Sequence, residues 1–295
     1  MFYLFSLLNG ILVAISVFFN GQLNITHGLH LSTVIVHISG LIFITLIVLV
    51  KRENPFTNRQ KWYFYIGGAV GIFIIMFNNI AFARIGVSAI LALLLLGKSI
   101  VGLVVDQTGW LGMPKSPFRK NKIIGLVVIT SGIGIMLIGR LDFLAVILSL
   151  LAGAAIIIGR TLNAKLAEAT NPRKSTFFNY LIGFAFSIPV YLVLTGQGVS
   201  AELANFTFSP NIYIYLGGIL GVCFITISNV LVLKIPAFYL SLFLFVGQAL
   251  AGVLLDTFIA GFFPFQIFAG AVLVAIGLCI DLIFEKRSAG TPKSA

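Results

Sequence analysis

A chain of 295 residues that is 59% hydrophobic and 9% charged, with a mean hydropathy of +1.11, lies outside the composition of water-soluble domains and excludes a soluble enzyme. Nineteen basic and 8 acidic residues give a net charge of +11, which membrane topology explains better than nucleic acid does, because lysine and arginine gather beside the anionic cytoplasmic leaflet. Cys223 and Cys279 fall in apolar runs far apart in sequence, read as small core residues, and outline no disulfide framework.

Apolar runs between polar breaks predict ten spans, near 3–20, 31–50, 63–82, 88–106, 122–139, 143–162, 175–195, 212–233, 237–256 and 262–284. All are expected to be helices: open strands leave their backbone unpaired in lipid, and the runs lack the alternation of barrel strands. The first run does not read as a cleavable leader, because nothing basic precedes it and no small-residue cleavage site follows before the break Asn20-Gly21-Gln22-Leu23-Asn24. With the amino terminus in the cytoplasm, the cytoplasmic loops and tail collect Lys51, Arg52, Arg59, Lys61, Lys115, Arg119, Lys120, Lys122, Lys165, Arg173, Lys174, Lys234, Lys286, Arg287 and Lys293. The opposite side keeps Arg84 and Arg140, while Lys98 and Arg160 stay within spans, so both termini are expected in the cytoplasm.

Self-comparison reveals a repeat. The segment Leu94–Asp106 matches Leu244–Asp256 at an offset of 150, and the same offset aligns Gly67-Gly68 with Gly217-Gly218, Gly71 with Gly221 and Asn79 with Asn229. Earlier in each half the offset is 143, pairing Asn20 with Asn163, Leu23 with Leu166, Ser32-Thr33 with Ser175-Thr176 and Gly40 with Gly183. The change of seven falls in the loop after each half's second helix, where an insertion costs little. The expected fold is therefore an all-α integral membrane protein of ten transmembrane helices: a first five-helix repeat at 1–140, a second at 141–287 and a short cytoplasmic tail at 288–295. Five is odd, so the second repeat must enter the membrane inverted, an arrangement typical of secondary transporters.

The Asn20-x-x-Leu23 and Asn163-x-x-Leu166 elements, with the Gly-Lys/Gln…Gly…Asp elements of the fourth helices, resemble the YdcZ family of the drug/metabolite transporter superfamily. The resemblance covers nearly the whole chain. It implies five-helix units fused in tandem in a bacterial inner-membrane transporter-like protein, and it supplies no substrate. The family pattern favours Gln at the fourth-helix position, as at Gln248, whereas the first half carries Lys98.

Lys98 is the sharpest single residue. A charge near the middle of a span costs on the order of 3 kcal/mol on insertion scales, so something must offset it. Facing a polar central cavity, it would attract an anionic substrate or release its proton when the site is empty. Pairing with a carboxylate or snorkelling to the interface is the alternative, although Asp106 lies about 12 Å of rise away on the same helix. Gln248, Asn78, Asn79, Ser228, Asn229, Asn20, Asn163, His37 and Tyr180 complete the candidate substrate-binding set. Such groups turn inward from lipid, toward a neighbouring helix or toward water. Ser16 and Asn20, four apart, share a face, with Gly159 in place of the serine in the second half.

Gly67-x-x-x-Gly71 and Gly217-x-x-x-Gly221 read as close-packing motifs, and Gly97/Gly102 and Gly247/Gly252 as packing or bending points. No Glu lies within any span, and Glu53, Asp106, Asp142, Glu168, Glu202, Asp256, Asp281 and Glu285 fall mostly in loops or at helix ends, with Asp281 expected in an interfacial ion pair. A proton-for-cation exchanger needs a deep carboxylate, which this chain lacks. His27-x-x-His30 has no third metal ligand nearby, and no phosphate-cradling loop or nucleophile-base pairing occurs, so neither cofactor nor catalysis is expected. The expected activity is carriage of a small polar or anionic metabolite by alternating access, with the small molecule and the bilayer as partners, no nucleic acid, and homodimerisation left open. An exporter of cationic or amphipathic compounds, and a membrane scaffold or sensor that transports nothing, are the two alternatives.

Overall fold

The computed structural model describes residues 2–57, 59–108, 122–196, 199, 204–231, 234 and 237–289, without the side chains of 103, 105, 106, 122, 237–239, 281, 282 and 285–289. Asp106, Lys115, Arg119, Lys120, Lys122, Glu202, Asp281, Glu285, Lys286, Arg287 and Lys293, considered above, lie outside the described residues or side chains. Among the described residues there are ten long helices and no strand: α1 Phe2–His27, α2 Leu29–Val50, α3 Gly67–Ile85, α4 Val87–Thr108, α5 Lys122–Leu137, α6 Phe143–Ala169, α7 Pro172–Thr195, α8 Gly217–Leu231, α9 Ala237–Ala260 and α10 Phe265–Ala289. Short 3-10 turns, Trp62–Ile66 and Ile212–Leu216, lead into α3 and α8.

Seven of these helices, α1, α2, α3, α6, α7, α8 and α9, are long and apolar enough to cross a membrane, counting the 3-10 turns with α3 and α8. The apolar stretches of the other three are shorter, Val87–Gly102, Ile123–Leu137 and Phe265–Ile280. The first helix corrects one boundary: it runs through the Asn20–Asn24 break to His27. Those polar residues are tolerated because neighbouring helices receive them; the Asn24 Nδ2 donates to the Asn79 carbonyl at 3.1 Å. The sixth helix likewise continues past the expected 162 to Ala169.

Helix ends follow from local chemistry. Asp142 caps α6 by accepting the Ala145 N–H at 2.9 Å, and Asn171 caps α7 by accepting the Lys174 N–H at 2.8 Å, with Pro172 in the first turn. Gly28 and Gly86, at φ 77° and 80°, make the tight reversals between α1 and α2 and between α3 and α4.

Packing is reciprocal across the chain. Helix α1 lies against α8 and α9, while α6 lies against α3 and α4; α2 meets α7, and α5 meets α10. Glycines set the tightest crossings: a Cβ on Gly10 would strike the backbone of α9 at Leu244, and one on Gly247 the backbone of α1 at Leu7. Gly97 and Gly153 do the same where α4 crosses α6. Helix α4 is buried on every side from Val87 to Gly97 and forms the centre of the largest apolar cluster, which explains why its sequence is apolar all round. The outer surface exposes large apolar side chains such as Leu49, Phe143, Val193 and Phe258, a surface suited to lipid.

Candidate functional site

Eight of the ten helices enclose a cavity of about 200 Å³, and α5 and α10, paired with each other, contribute no lining residue. Helix α1 supplies Ser16 and Asn20, α2 His37, α3 Asn78, α4 Lys98, α6 Arg160 and Asn163, α7 Asn179 and Tyr180, α8 Ser228 and Asn229, and α9 Gln248. Isoleucine, valine, leucine and phenylalanine side chains fill in between, the usual mix of a solute site. Among the described residues no carboxylate lines this space, and two basic residues, Lys98 and Arg160, do.

The neutral groups are fixed by their neighbours. The His37 ring donates from Nδ1 to the Thr33 carbonyl at 2.8 Å, which leaves Nε2 as the acceptor nitrogen of the neutral ring. Tyr180 donates its hydroxyl to the Gly218 carbonyl at 3.1 Å. That ring passes beside Gly221, where a Cβ would collide with the phenol oxygen, while Gly183 makes the same allowance for the His37 imidazole. The second Gly of the α8 small-residue motif therefore makes room for a cavity side chain rather than for a helix backbone. Asn163 donates to Asn179 Oδ1 at 2.9 Å, Ser16 to the Gly217 carbonyl at 3.0 Å, and Asn9 to Ser228 Oγ at 2.8 Å.

Several polar atoms remain without a protein partner. The Oδ1 of Asn20 and of Asn78, the Nδ2 of Asn229 and the Oε1 of Gln248 are buried and unbonded. Unsatisfied groups of this kind are rare in folded interiors, and these four belong to residues that line one cavity, while others, such as Asn9 Oδ1, Ser88 Oγ and Ser149 Oγ, lie elsewhere. Lys98 and Arg160 make no hydrogen bond or ion pair among the described residues.

The structure brings the sequence-selected residues together, with one exception. Lys98, Gln248, Asn78, Ser228, Asn229, Asn20, Asn163, His37 and Tyr180 all line the cavity. Asn79 does not: it is one residue, about 100°, around the helix from Asn78, and its Nδ2 points to Ser32 Oγ on α2 at 3.4 Å. It is a helix-to-helix contact. Arg160 and Asn179 are lining residues not chosen from the sequence, yet an arginine within a span carries the same signal that singled out Lys98. Asp256, read as a plain boundary residue, instead accepts the Val87 and Ser88 N–H groups at 2.9 Å each and so caps α4 from a different helix.

Arg84 pairs with Asp142 at 2.7 Å, and the Ala145 N–H together with Arg84 holds that carboxyl below the usual carboxylate range. In the α2–α3 loop, Glu53 pairs with Arg173 and accepts the Asn171 amide at 3.2 Å, and the hydrogen bond from Arg173 draws its carboxyl below the usual glutamate range. Both pairs lie outside the cavity.

A solved crystal structure 15% identical to this chain superposes with a TM-score of 0.64, covering 96% of this chain and 98% of its own, a likeness of fold. No curated protein matches. The family model described as "Putative inner membrane exporter, YdcZ" matches residues 1–135 and again 144–280. Together those two stretches take in nearly the whole chain, which therefore belongs to the YdcZ family and is a multi-pass membrane transporter.

Proposed function

We propose that this protein is a secondary carrier for a small polar or anionic metabolite, working by alternating access between two inverted five-helix halves, 1–140 and 141–287. The observation that carries the reading is the cavity itself: two cations, no acidic lining residue among those described, and a ring of amides and hydroxyls. An anion entering it meets an attractive field, whereas a cationic drug meets repulsion with no carboxylate to offset it.

The two-fold match of the family model and the reciprocal crossings, Gly10 with α9 and Gly153 with α4, support the repeat. Gly67 against Asn163 and Gly217 against Asn20 support it again, since each is the other's counterpart at the offsets of 150 and 143. Rocking of one half on the other would expose the cavity to either side. The excess of lysine and arginine in the even-numbered loops supports both termini in the cytoplasm. The family description names an exporter, which favours outward movement. Lys98 supplies charge at the centre, and Gln248, Asn78 and Asn229 supply hydrogen bonds.

Flux into proteoliposomes tests this. Purified protein is expected to move small anions in preference to size-matched cations, and Lys98→Gln, which copies the second half, is expected to weaken that charge preference, with Arg160 sustaining the remainder. Cation flux with no anion flux, or unaltered selectivity in the variant, would overturn the reading.

A further inference from the structure

We propose that Lys98 and Arg160 together form a two-cation receptor, that the cargo is a compact dianion carrying two carboxylates or one phosphate monoester, and that Arg160 sets the preference for the second negative charge. This rests on the anion-carrier reading above and narrows it. The two residues come from different helices that cross at Gly97 and Gly153: Lys98 adjoins the crossing, and Arg160 lies two turns, about 10 Å of rise, beyond it along α6. Both line the same cavity, and neither has a counter-charge among the described residues.

Charge balance then selects the cargo. Two uncompensated cations in a low-dielectric interior are costly, and a monoanion neutralises one while leaving the other. A dianion neutralises both. The guanidinium fork suits this task, since it presents two parallel N–H donors to a carboxylate or phosphate edge, while the ammonium acts as a point charge. The cavity, at about 200 Å³, is smaller than the roughly 300–1,000 Å³ of drug-sized sites, so the charges must sit on a compact molecule.

The sequence offsets argue against a structural role for either cation. At the matching position 143 residues earlier, Val17 stands where Arg160 does, and Gln248 stands where Lys98 does, 150 residues later. The same helix crossings form in both places with an apolar or neutral residue. What the two cations add beyond the fold is charge, Lys98 in the first half alone and Arg160 in the second alone.

Thermal unfolding of the purified full-length protein with matched probes tests the proposal: succinate against butyrate, and methyl phosphate against dimethyl phosphate. The wild type is expected to need at least about tenfold less dianion than matched monoanion for an equal rise in unfolding temperature. Whichever pair shows the effect identifies the carboxylate or phosphate source. Arg160→Gln is expected to collapse the difference, and Arg160→Lys to restore part of it. Should Arg160→Gln fail to fold, Lys98→Gln removes the other cation and is expected to collapse the difference equally. If monoanions stabilise the wild type as well as dianions do, or the preference survives in the variants, the dianion proposal fails while the anion carrier stands. If only cations stabilise the protein, both fall.

Discussion

Replacing Asp256 gives a measurable test of how α4 is held. The Val87 N–H reaches Asp256 Oδ1 and the Ser88 N–H reaches Oδ2, each at 2.9 Å, so one carboxylate satisfies two of the donors that a helix start leaves open. Val87 and Ser88 are 0% and 2% exposed, which prevents water from taking over when the carboxylate goes. A hydrogen bond to a charged partner is worth about 1.5–3 kcal/mol, so Asp256→Ala is expected to cost about 3–6 kcal/mol. Asp256→Asn keeps one acceptor but turns an amide donor toward the other N–H, and is expected to cost about half as much. Denaturant unfolding in mild detergent, followed by tryptophan fluorescence and circular dichroism, reads both values. An alanine variant within about 1 kcal/mol of the wild type would refute the trans-cap reasoning, because that is the scale of an ordinary exposed cap.

Three further outcomes follow from other parts of the molecule. Gly97→Val is expected to abolish folded protein in a size-exclusion assay, since its side chain would enter the Leu150 backbone, whereas Gly102→Ala, with nothing within 4 Å of a new Cβ, should be neutral or gain about 0.5–1 kcal/mol from helix propensity. The Glu53 carboxyl titrates lower in the folded protein than in the unfolded chain, because Arg173 hydrogen-bonds its charged form, so its contribution is complete above the unfolded value and drains away as pH falls through the folded one. Unfolding temperature measured against pH should therefore drop below roughly pH 4.3, and Glu53→Gln should flatten that acid limb while leaving cavity ligand binding unchanged. Gly221→Leu is expected to displace the Tyr180 hydroxyl from the Gly218 carbonyl and to reduce transport with the bundle still folded, measured as flux against circular dichroism.

The gross architecture was legible because lipid imposes it: a backbone that cannot be hydrated must form helices of near-fixed length, and apolar runs show where they are. The boundary at Asn20–Asn24 was misplaced for a related reason. Polarity marks a break when the surroundings are lipid, but those asparagines face other helices, and composition alone cannot tell an inward face from a loop. The cavity group was largely legible, since an amide inside a span has few places to go, and Lys98 has fewer. Asn78 and Asn79 show the limit: adjacent in sequence and chemically identical, they diverge by the helical angle, one to the cavity and one to Ser32. Arg160 is visible in the sequence as a basic residue within a span, but its partner at the offset of 143 is the apolar Val17, so the repeat lends it no support as a site residue. The Asp256 cap joins residues 169 and 168 positions apart, a contact that no local pattern announces.

The central claim is that the Lys98 side chain faces a wet chamber that opens alternately to the two sides of the membrane. A Lys98→Cys variant, with Cys223→Ser and Cys279→Ser to remove the native thiols, tests it through modification by membrane-impermeant methanethiosulfonates in right-side-out and inside-out vesicles. Phe73→Cys, at a side chain 55% exposed and absent from the cavity lining, serves as the lipid-facing control. The account predicts labelling at position 98 from both sides, faster with the anionic reagent than with the cationic one because Arg160 remains, and no labelling at position 73. A thiol at position 98 that resists both reagents from both sides would contradict it.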